Sequence, residues 1–276
     1  MTLSGETAHD SARTALGEVV LSVIAPCFNE KDNVDLLVDR TIATFDAMGI
    51  PAELLLIDDG SHDATWDRIT GKAQADPRVR GVRHEVNCGI EGAWHSGLRT
   101  ANGRLTCLID ADLQNRPEDI ESLYRAYLRD VPDLVQAVRH PMRGVRRCRL
   151  FSRGLNLLLN VVFGMKLRDN KSGFVLARRE TLTELLQHER EYRYFQSFIG
   201  AAAGVRGYLI TEVDTDFDQR HAGKSFLSRF PILVSLRIVR EMIRYRAETW
   251  ELAHKTRRQT NWFPTSALAD STGGEV

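Results

Sequence analysis

Apolar and polar positions follow two periods along the first half of the chain. Val19–Ala25 (VVLSVIA) is a short, β-branched apolar run, the pattern of a strand buried on both faces. Val34, Leu37, Val38, Ile42 and Phe45 then recur at three- and four-residue spacing, one face of a helix that Gly49 and Pro51 end. Glu53–Ile57 (ELLLI) repeats the strand pattern, and a helix is predicted from about Ala64 with Ser61 and Asp63 as candidate caps. Val79–His84 is a weaker strand. Gly89–Ala101 reads as a helix closed by Asn102-Gly103, and Arg104–Ile109 (RLTCLI) as the next strand. Pro117 opens a helix whose core face is Ile120, Leu123, Tyr124, Tyr127 and Leu128, and Leu134–Val138 closes the series. Five strands separated by four helices predict an α/β fold with a mostly parallel sheet covered on both faces. In such sheets ligands bind beyond the carboxyl ends of the strands.

The second half has a different texture. From Arg139 to Arg168 there are eight Lys/Arg and no Asp/Glu, and the run encloses the apolar stretch LNLLLNVVFGM. Gln219 to Arg240 is again free of acids and carries five Lys/Arg. Basic plus apolar is the composition of an interfacial helix near anionic lipid. A solvated basic face and a helix buried in a homodimer interface fit the same pattern. The expected organisation is a flexible leader over 1–18, one domain over 19–226, amphipathic helices over 227–255 and a flexible tail over 256–276.

Composition narrows the class. At 276 residues, with 43% hydrophobic and 27% charged positions, the chain has material for a sizeable core and is neither disordered, collagenous nor a coiled coil. Lys+Arg and Asp+Glu are both 37, so bulk charge favours no partner and any basic site is local. With zero net charge and Arg clusters interleaved with aliphatics, nucleic acid is not an expected partner. No apolar run reaches the roughly 20 residues of a spanning helix, and the N-terminus has no apolar signal core. The four cysteines, Cys27, Cys88, Cys107 and Cys148, form no CxxC pair and read as reduced, mostly packed thiols. The expected location is cytoplasmic, with peripheral contact on the inner face of the membrane left open.

Three polar clusters stand directly after strands: Pro26-Cys27-Phe28-Asn29-Glu30, Asp58-Asp59-Gly60-Ser61 and Asp110-Ala111-Asp112-Leu113-Gln114. Carboxylates beside buried strands are costly unless something binds them. In an extended segment Asp110 and Asp112 point the same way, and with the Gln114 amide oxygen they form a hard donor set suited to Mg²⁺ or Mn²⁺. A metal so placed neutralises charge on a departing diphosphate.

The segments LSVIAPCFNE, LLLIDDGSHDAT, NCGIEGAWHSGLRTANG, CLIDADLQNRPEDI, DNKSGFVLARRE and RHAGKSF occur in one order over roughly residues 20–226. In that order they resemble family 2 glycosyltransferases of the GT-A fold, a Rossmann-like sheet flanked by helices. Within that family they resemble the dolichol- or polyprenyl-phosphate mannosyltransferase branch. The resemblance implies that Pro26, Phe28 and Glu30 line the base and ribose of a nucleotide, with Asp59 on the nucleoside and Ile57 nearby. It implies Asp110, Asp112 and Gln114 as metal ligands, with Asp110, Ala111 and Asp112 near the donor, and Arg139 facing its phosphates. It implies a loop of Arg220, Gly223, Lys224 and Ser225 closing over the diphosphate, Arg220 and Lys224 offsetting leaving-group charge. Cys27 and Phe28 depart from the family's usual Thr or Ser and Tyr.

The function so implied is metal-dependent, inverting transfer of a sugar from a nucleotide-sugar donor to a polyprenyl phosphate, with GDP-mannose the first choice and a UDP-sugar the second. Transfer to a hydroxyl of a soluble metabolite or saccharide, and a non-catalytic nucleotide-sugar-binding protein, remain open. Asp169 is the candidate general base for a hydroxyl acceptor, with an ion pair to Arg168 or Lys171 as its alternative. His84, His95, His221, Trp94 and Trp250 read more simply as packed or surface residues.

Overall fold

The structure is a computed structural model that describes residues 19–141, 164–169, 172–188, 194–221 and 236–249, together with 154, 156, 157, 160, 161 and 192. The leader, the tail, Cys148, Gly223, Lys224, Ser225 and Trp250 lie outside the described residues, as do five of the eleven positions of the stretch LNLLLNVVFGM.

Strands β1 (Leu21–Cys27), β2 (Ala52–Asp58), β3 (Val79–Arg83), β4 (Leu105–Leu108) and β5 (Leu134–Pro141) fall within a few residues of the five apolar runs. Between them stand helices α1 (Val34–Met48), α2 (Thr65–Ala75), α3 (Gly89–Thr100) and α4 (Asp119–Asp130). Gly49 ends α1 in the left-handed region at φ 62°, the conformation glycine adopts at no steric cost. α2 starts at Thr65, where Asp63 Oδ1 accepts from the Thr65 amide at 3.0 Å, and Ala64 stands at the cap position itself. In α4, Ile120, Leu123, Ala126 and Tyr127 are buried, whereas Leu128 is 58% exposed. The expected inward position of Leu128 is therefore corrected, because Ala126 supplies the fourth buried position of that face.

Two further strands complete the sheet: β6 (Val175–Arg178) and β7 (Ile210–Phe217). The order is β3-β2-β1-β4-β6-β5-β7. Every pairing is parallel except those of β6, which runs antiparallel to both β4 and β5. Helices α5 (Arg179–Leu186) and α6 (Ile199–Val205) follow β6, and residues 236–249 are helical.

The strands read as continuous apolar runs because the sheet is covered on both faces. Leu54 and Leu56 point into one apolar cluster with α1 and α4, while Leu55 and Ile57 point into the other with α3, α5 and α6. Each such side chain contributes about 1.5–3 kcal/mol by leaving water. No described helix is long and apolar enough to cross a membrane.

Candidate active site at the carboxyl edge of the sheet

The pairing pattern decides which loops meet. β1, β2, β4, β5 and β7 run the same way, so the residues after each emerge at one edge. Because β6 is antiparallel, the described residues that precede it, Asp169 and Ser172 to Phe174, come to that edge as well. Glu30, Asp59, Asp110, Asp112, Arg139, Asp169 and Arg220 therefore converge from six separate segments.

The acidic turn after β4 is the centre. β4 stops at Leu108, and Asp110 to Gln114 form a turn rather than the extended segment expected. Leu113 holds φ 61° while 2% exposed in the core, a conformation a bulky residue keeps only where its surroundings impose it. Asp112 Oδ1 accepts from the Gln114 amide at 3.0 Å and closes the turn. Burial first, and the Asp112 charge second, push the Asp110 carboxyl well above the usual carboxylate range, with Arg139 and Arg220 pulling back. Gln114 turns its side-chain amide nitrogen to the Asp218 carbonyl at 3.4 Å, and its backbone carbonyl accepts from the Asp218 backbone amide at 2.9 Å. Ala111 is buried beneath the turn.

Arg220, beyond β7, reaches over this turn. Its Nη2 lies 2.7 Å from Asp112 Oδ2 and its Nη1 3.6 Å from Glu30 Oε1. Glu30 is also held by the Asn33 amide, and burial outweighs both partners to raise its pKa. On the other side, Arg139 donates from Nε and Nη2 to the two oxygens of Asp169 at 2.7 and 3.0 Å, and lies 5.3 Å over the Phe217 ring. Arg139 is thus an ion-pair partner of Asp169. Arg168 pairs instead with Glu212 and Asp214, while Lys171 lies outside the described residues.

The cluster after β2 is built differently. Asp59 is 3% exposed; its Oδ1 takes the Cys88 amide at 2.7 Å and His84 Nδ1 at 2.8 Å, and its Oδ2 takes the Gly89 amide at 2.8 Å. A carboxylate on the first amides of α3 suits the positive end of that helix. His84 Nε2 continues to Ser96 Oγ at 2.8 Å. Gly60, at φ 73°, lets this loop approach, since a Cβ there would stand 2.7 Å from the Asn87 nitrogen. Phe28, 40% exposed, meets His62 edge-on at 6.3 Å, and Pro26 pairs with buried Ile57. Trp94 is packed at 1% exposure. Cys27 and Cys107 are buried and Cys88 is exposed.

Sequence reasoning missed the Arg139–Asp169 pair, the part of His84 in bracing Asp59, and Arg116, which clamps Asp216 and Asp218 at 2.7 and 2.6 Å beside the acidic turn. Arg139 and Asp169 each stood out singly, one at the start and one just beyond the end of the acid-free run, but spacing in the chain holds no sign that they touch.

The chain is similar to known proteins both in sequence and in fold. Undecaprenyl-phosphate 4-deoxy-4-formamido-L-arabinose transferase of Pectobacterium atrosepticum is 30% identical over 208 residues, covering 74% of this chain and 62% of that protein. The protein of the same name from Shewanella sediminis is 32% identical, covering 74% and 61%. The chain thus spans somewhat over 60% of the length of the curated relatives it matches. Among solved structures, glucosyl-3-phosphoglycerate synthase from Mycobacterium tuberculosis in complex with phosphoglyceric acid superposes with a TM-score of 0.62 at 20% identity, covering 90% of this chain and 86% of that one. The same protein with Mn²⁺, uridine diphosphate and glucosyl-3-phosphoglycerate gives 0.60 at 21% identity, covering 89% and 86%. The fold is that of the GT-A glycosyltransferases. The profile "Glycosyl transferase family 2" matches residues 22–186, more than half of the sequence, and the chain belongs to that family.

Proposed function

We propose that the protein transfers a sugar from a nucleotide-sugar donor to a polyprenyl phosphate, with the donor diphosphate at the edge lined by Asp110, Asp112, Arg220 and Arg139. The observation that carries this reading is the cluster itself, two crowded carboxylates with a guanidinium on each side in a family 2 chain. The printed names of the sequence relatives, which specify an undecaprenyl-phosphate acceptor, support the acceptor class.

The residues fit a divalent cation. Asp110 sits half-buried against a second carboxylate and is held above its ordinary range for that reason, a strain a cation relieves. Asp110 and Asp112 would hold it, with Gln114 next to them. Mg²⁺ or Mn²⁺ there supplies charge neutralisation for the departing diphosphate. The chain's own part is electrostatic. Arg220 and Arg139 direct their guanidinium groups at the region where leaving-group charge develops, and Lys224 and Ser225 belong to the same closing loop in this reading. Pro26, Phe28, Glu30 and Ile57 border the nucleoside. Asp59 acts on the nucleoside indirectly, by fixing the loop that ends in Gly89.

Asp169 speaks to the acceptor. Both its oxygens face the Arg139 guanidinium, the arrangement of a group that orients an arginine more than of one that takes a proton. A phosphate acceptor is ionised near neutral pH and needs no base. For the donor, a UDP-linked sugar replaces GDP-mannose as the preferred reading. No relative or fold neighbour described above carries mannose or GDP in its name, and the fold neighbour was solved with uridine diphosphate.

The test is transfer of radiolabelled sugar to undecaprenyl phosphate by the purified chain, with UDP- and GDP-sugars in parallel and with or without Mn²⁺. Lipid-linked product from a UDP-sugar supports the reading. Product from GDP-mannose alone returns the donor to guanosine, and glycosylation of a soluble alcohol with no lipid product overturns the acceptor.

A further inference from the structure

We propose that the outer face of the helix over 236–249 is a docking surface for an anionic lipid bilayer, a surface that rests on the lipid-phosphate reading for its purpose but not for its geometry. The inner face of this helix is fully used. Ile238, Met242 and Tyr245 are buried in the cluster formed with α3, α5 and α6. Both acids of the helix are engaged by the protein: Glu248 is buried and accepts from the Tyr192 hydroxyl at 2.6 Å, and Glu241 accepts from the Tyr194 amide at 2.9 Å.

What faces outward is apolar and basic. Leu236 and Ile243 are 62% and 52% exposed. With Arg240 and Ala247, also exposed, they repeat at spacings of four, three and four, which is a single stripe on a helix. Arg237 and Arg244 border the stripe on one side and Arg246 on the other, all exposed. Arg237, Arg240 and Arg244 have no acidic partner among the described residues. The outward charge is therefore wholly positive, although the helix contains two glutamates.

The acid-free basic stretch from Arg139 to Arg168 leads to the same side of the sheet. Leu157 and Val161 are 65% and 72% exposed, and Met165, a few residues on, packs on the cluster that receives Ile238, Met242 and Tyr245. Four of the nine large hydrophobic side chains exposed among the described residues, Leu157, Val161, Leu236 and Ile243, thus fall in the first basic stretch or in this helix. Apolar side chains between arginines insert at the headgroup boundary while the guanidinium groups meet lipid phosphates. Each such cation adds about fivefold in affinity at an anionic surface.

The experiment is co-sedimentation of the full chain with vesicles of phosphatidylcholine alone or mixed with phosphatidylglycerol. Binding to the anionic vesicles, weakened by salt, is expected. The double variant R240E/R244E should lose at least about 25-fold in affinity. Ile243→Trp should bind more tightly and shift its fluorescence to the blue on contact. Unchanged melting temperatures show that these exposed substitutions leave the fold intact. Equal binding to both vesicle types, no binding, or insensitivity to both variants overturns the proposal. So does a dimer in light scattering that Ile243→Asp dissociates, with no vesicle binding, since the face then belongs to a second copy. Transfer to a short-chain polyprenyl phosphate in detergent separates the two readings. A protein that binds vesicles but transfers nothing keeps the surface and loses the proposed activity.

Discussion

Arg220 Nη2 stands 2.7 Å from Asp112 Oδ2, although 108 positions separate the two residues in the chain. The contact joins the turn after β4 to the segment after β7 across the edge where the donor is proposed to bind. Arg220 also faces Glu30, so one guanidinium balances carboxylates from two strands. The opening of any space for a ligand there is coupled to where Arg220 goes.

Removing either member of this pair separates charge from fold. Asp112→Asn should abolish transfer and most metal-dependent nucleotide affinity in calorimetry while the melting temperature stays close to that of the parent. Arg220→Ala should lower kcat by roughly 10²–10³, the loss typical of one group stabilising developing charge. Near-normal turnover of Asp112→Asn would remove the metal-site assignment.

Asp169→Asn distinguishes the acceptors. With a phosphate acceptor the rate falls modestly, because the asparagine still accepts one hydrogen bond from Arg139 and the guanidinium is only loosened. The loss then appears mainly in KM for the donor. With a hydroxyl acceptor the fall is roughly 10²–10⁴, the share a general base supplies. Steady-state kinetics with donor and acceptor varied independently makes the distinction.

Asp59→Ala should act on stability first. It strips a partner from the Cys88 and Gly89 amides and from His84. Gly89 keeps the Asn87 side-chain oxygen at 3.2 Å and His84 keeps Ser96, so the loss should be about 1–3 kcal/mol in all, the cost of one donor left unpaired. The drop should show in urea unfolding without nucleotide. Hydrogen exchange should report the first turn of α3 opening before the rest of the sheet. A variant as stable as the parent would show that the loop over 84–89 has another anchor.

Asp119, at the start of α4, is pushed up to about 6, by burial first and by Asp216 second, against the pull of Arg116. Its folded value thus lies above the ordinary value of about 3.9, so the folded chain holds the proton more tightly than the unfolded one. Stability from this group is greatest below pH ~4, falls as pH rises to about 6 and is level above that. Asp119→Asn should flatten that limb of the stability profile. Urea titrations across that window in both proteins check the sign, and a variant with an unchanged slope would contradict it.

The strands β1 to β5 and helices α1 to α4 were legible because their signals are local. Leu54, Leu55 and Leu56 in succession demand burial on both faces, and Gly49 after Phe45 ends a helix wherever it is placed. β6 and β7 were not legible. β6 has four residues, too few to show a period, and β7 (ITEVDTDF) alternates acids with partly buried residues and has no apolar run. Leu128 was misplaced because a run of apolar residues around a helix does not say which of them the neighbouring strands reach.

The candidate site divides the same way. The sequence by itself determined that carboxylates follow buried strands at Asp58-Asp59 and Asp110–Asp112, and that parallel strands would bring those clusters to one edge, because desolvation and chain direction are local properties. Only the tertiary structure decided the partners. The antiparallel insertion of β6 delivers Asp169 to Arg139 rather than to its neighbour Arg168, and the parallel pairing of β7 with β5 carries Arg220 to Asp112. It also turned both acids of the helix over 236–249 inward and left its arginines outside. Such pairings depend on strand order and side-chain burial, which arise from contacts distant in the chain and leave no period in it.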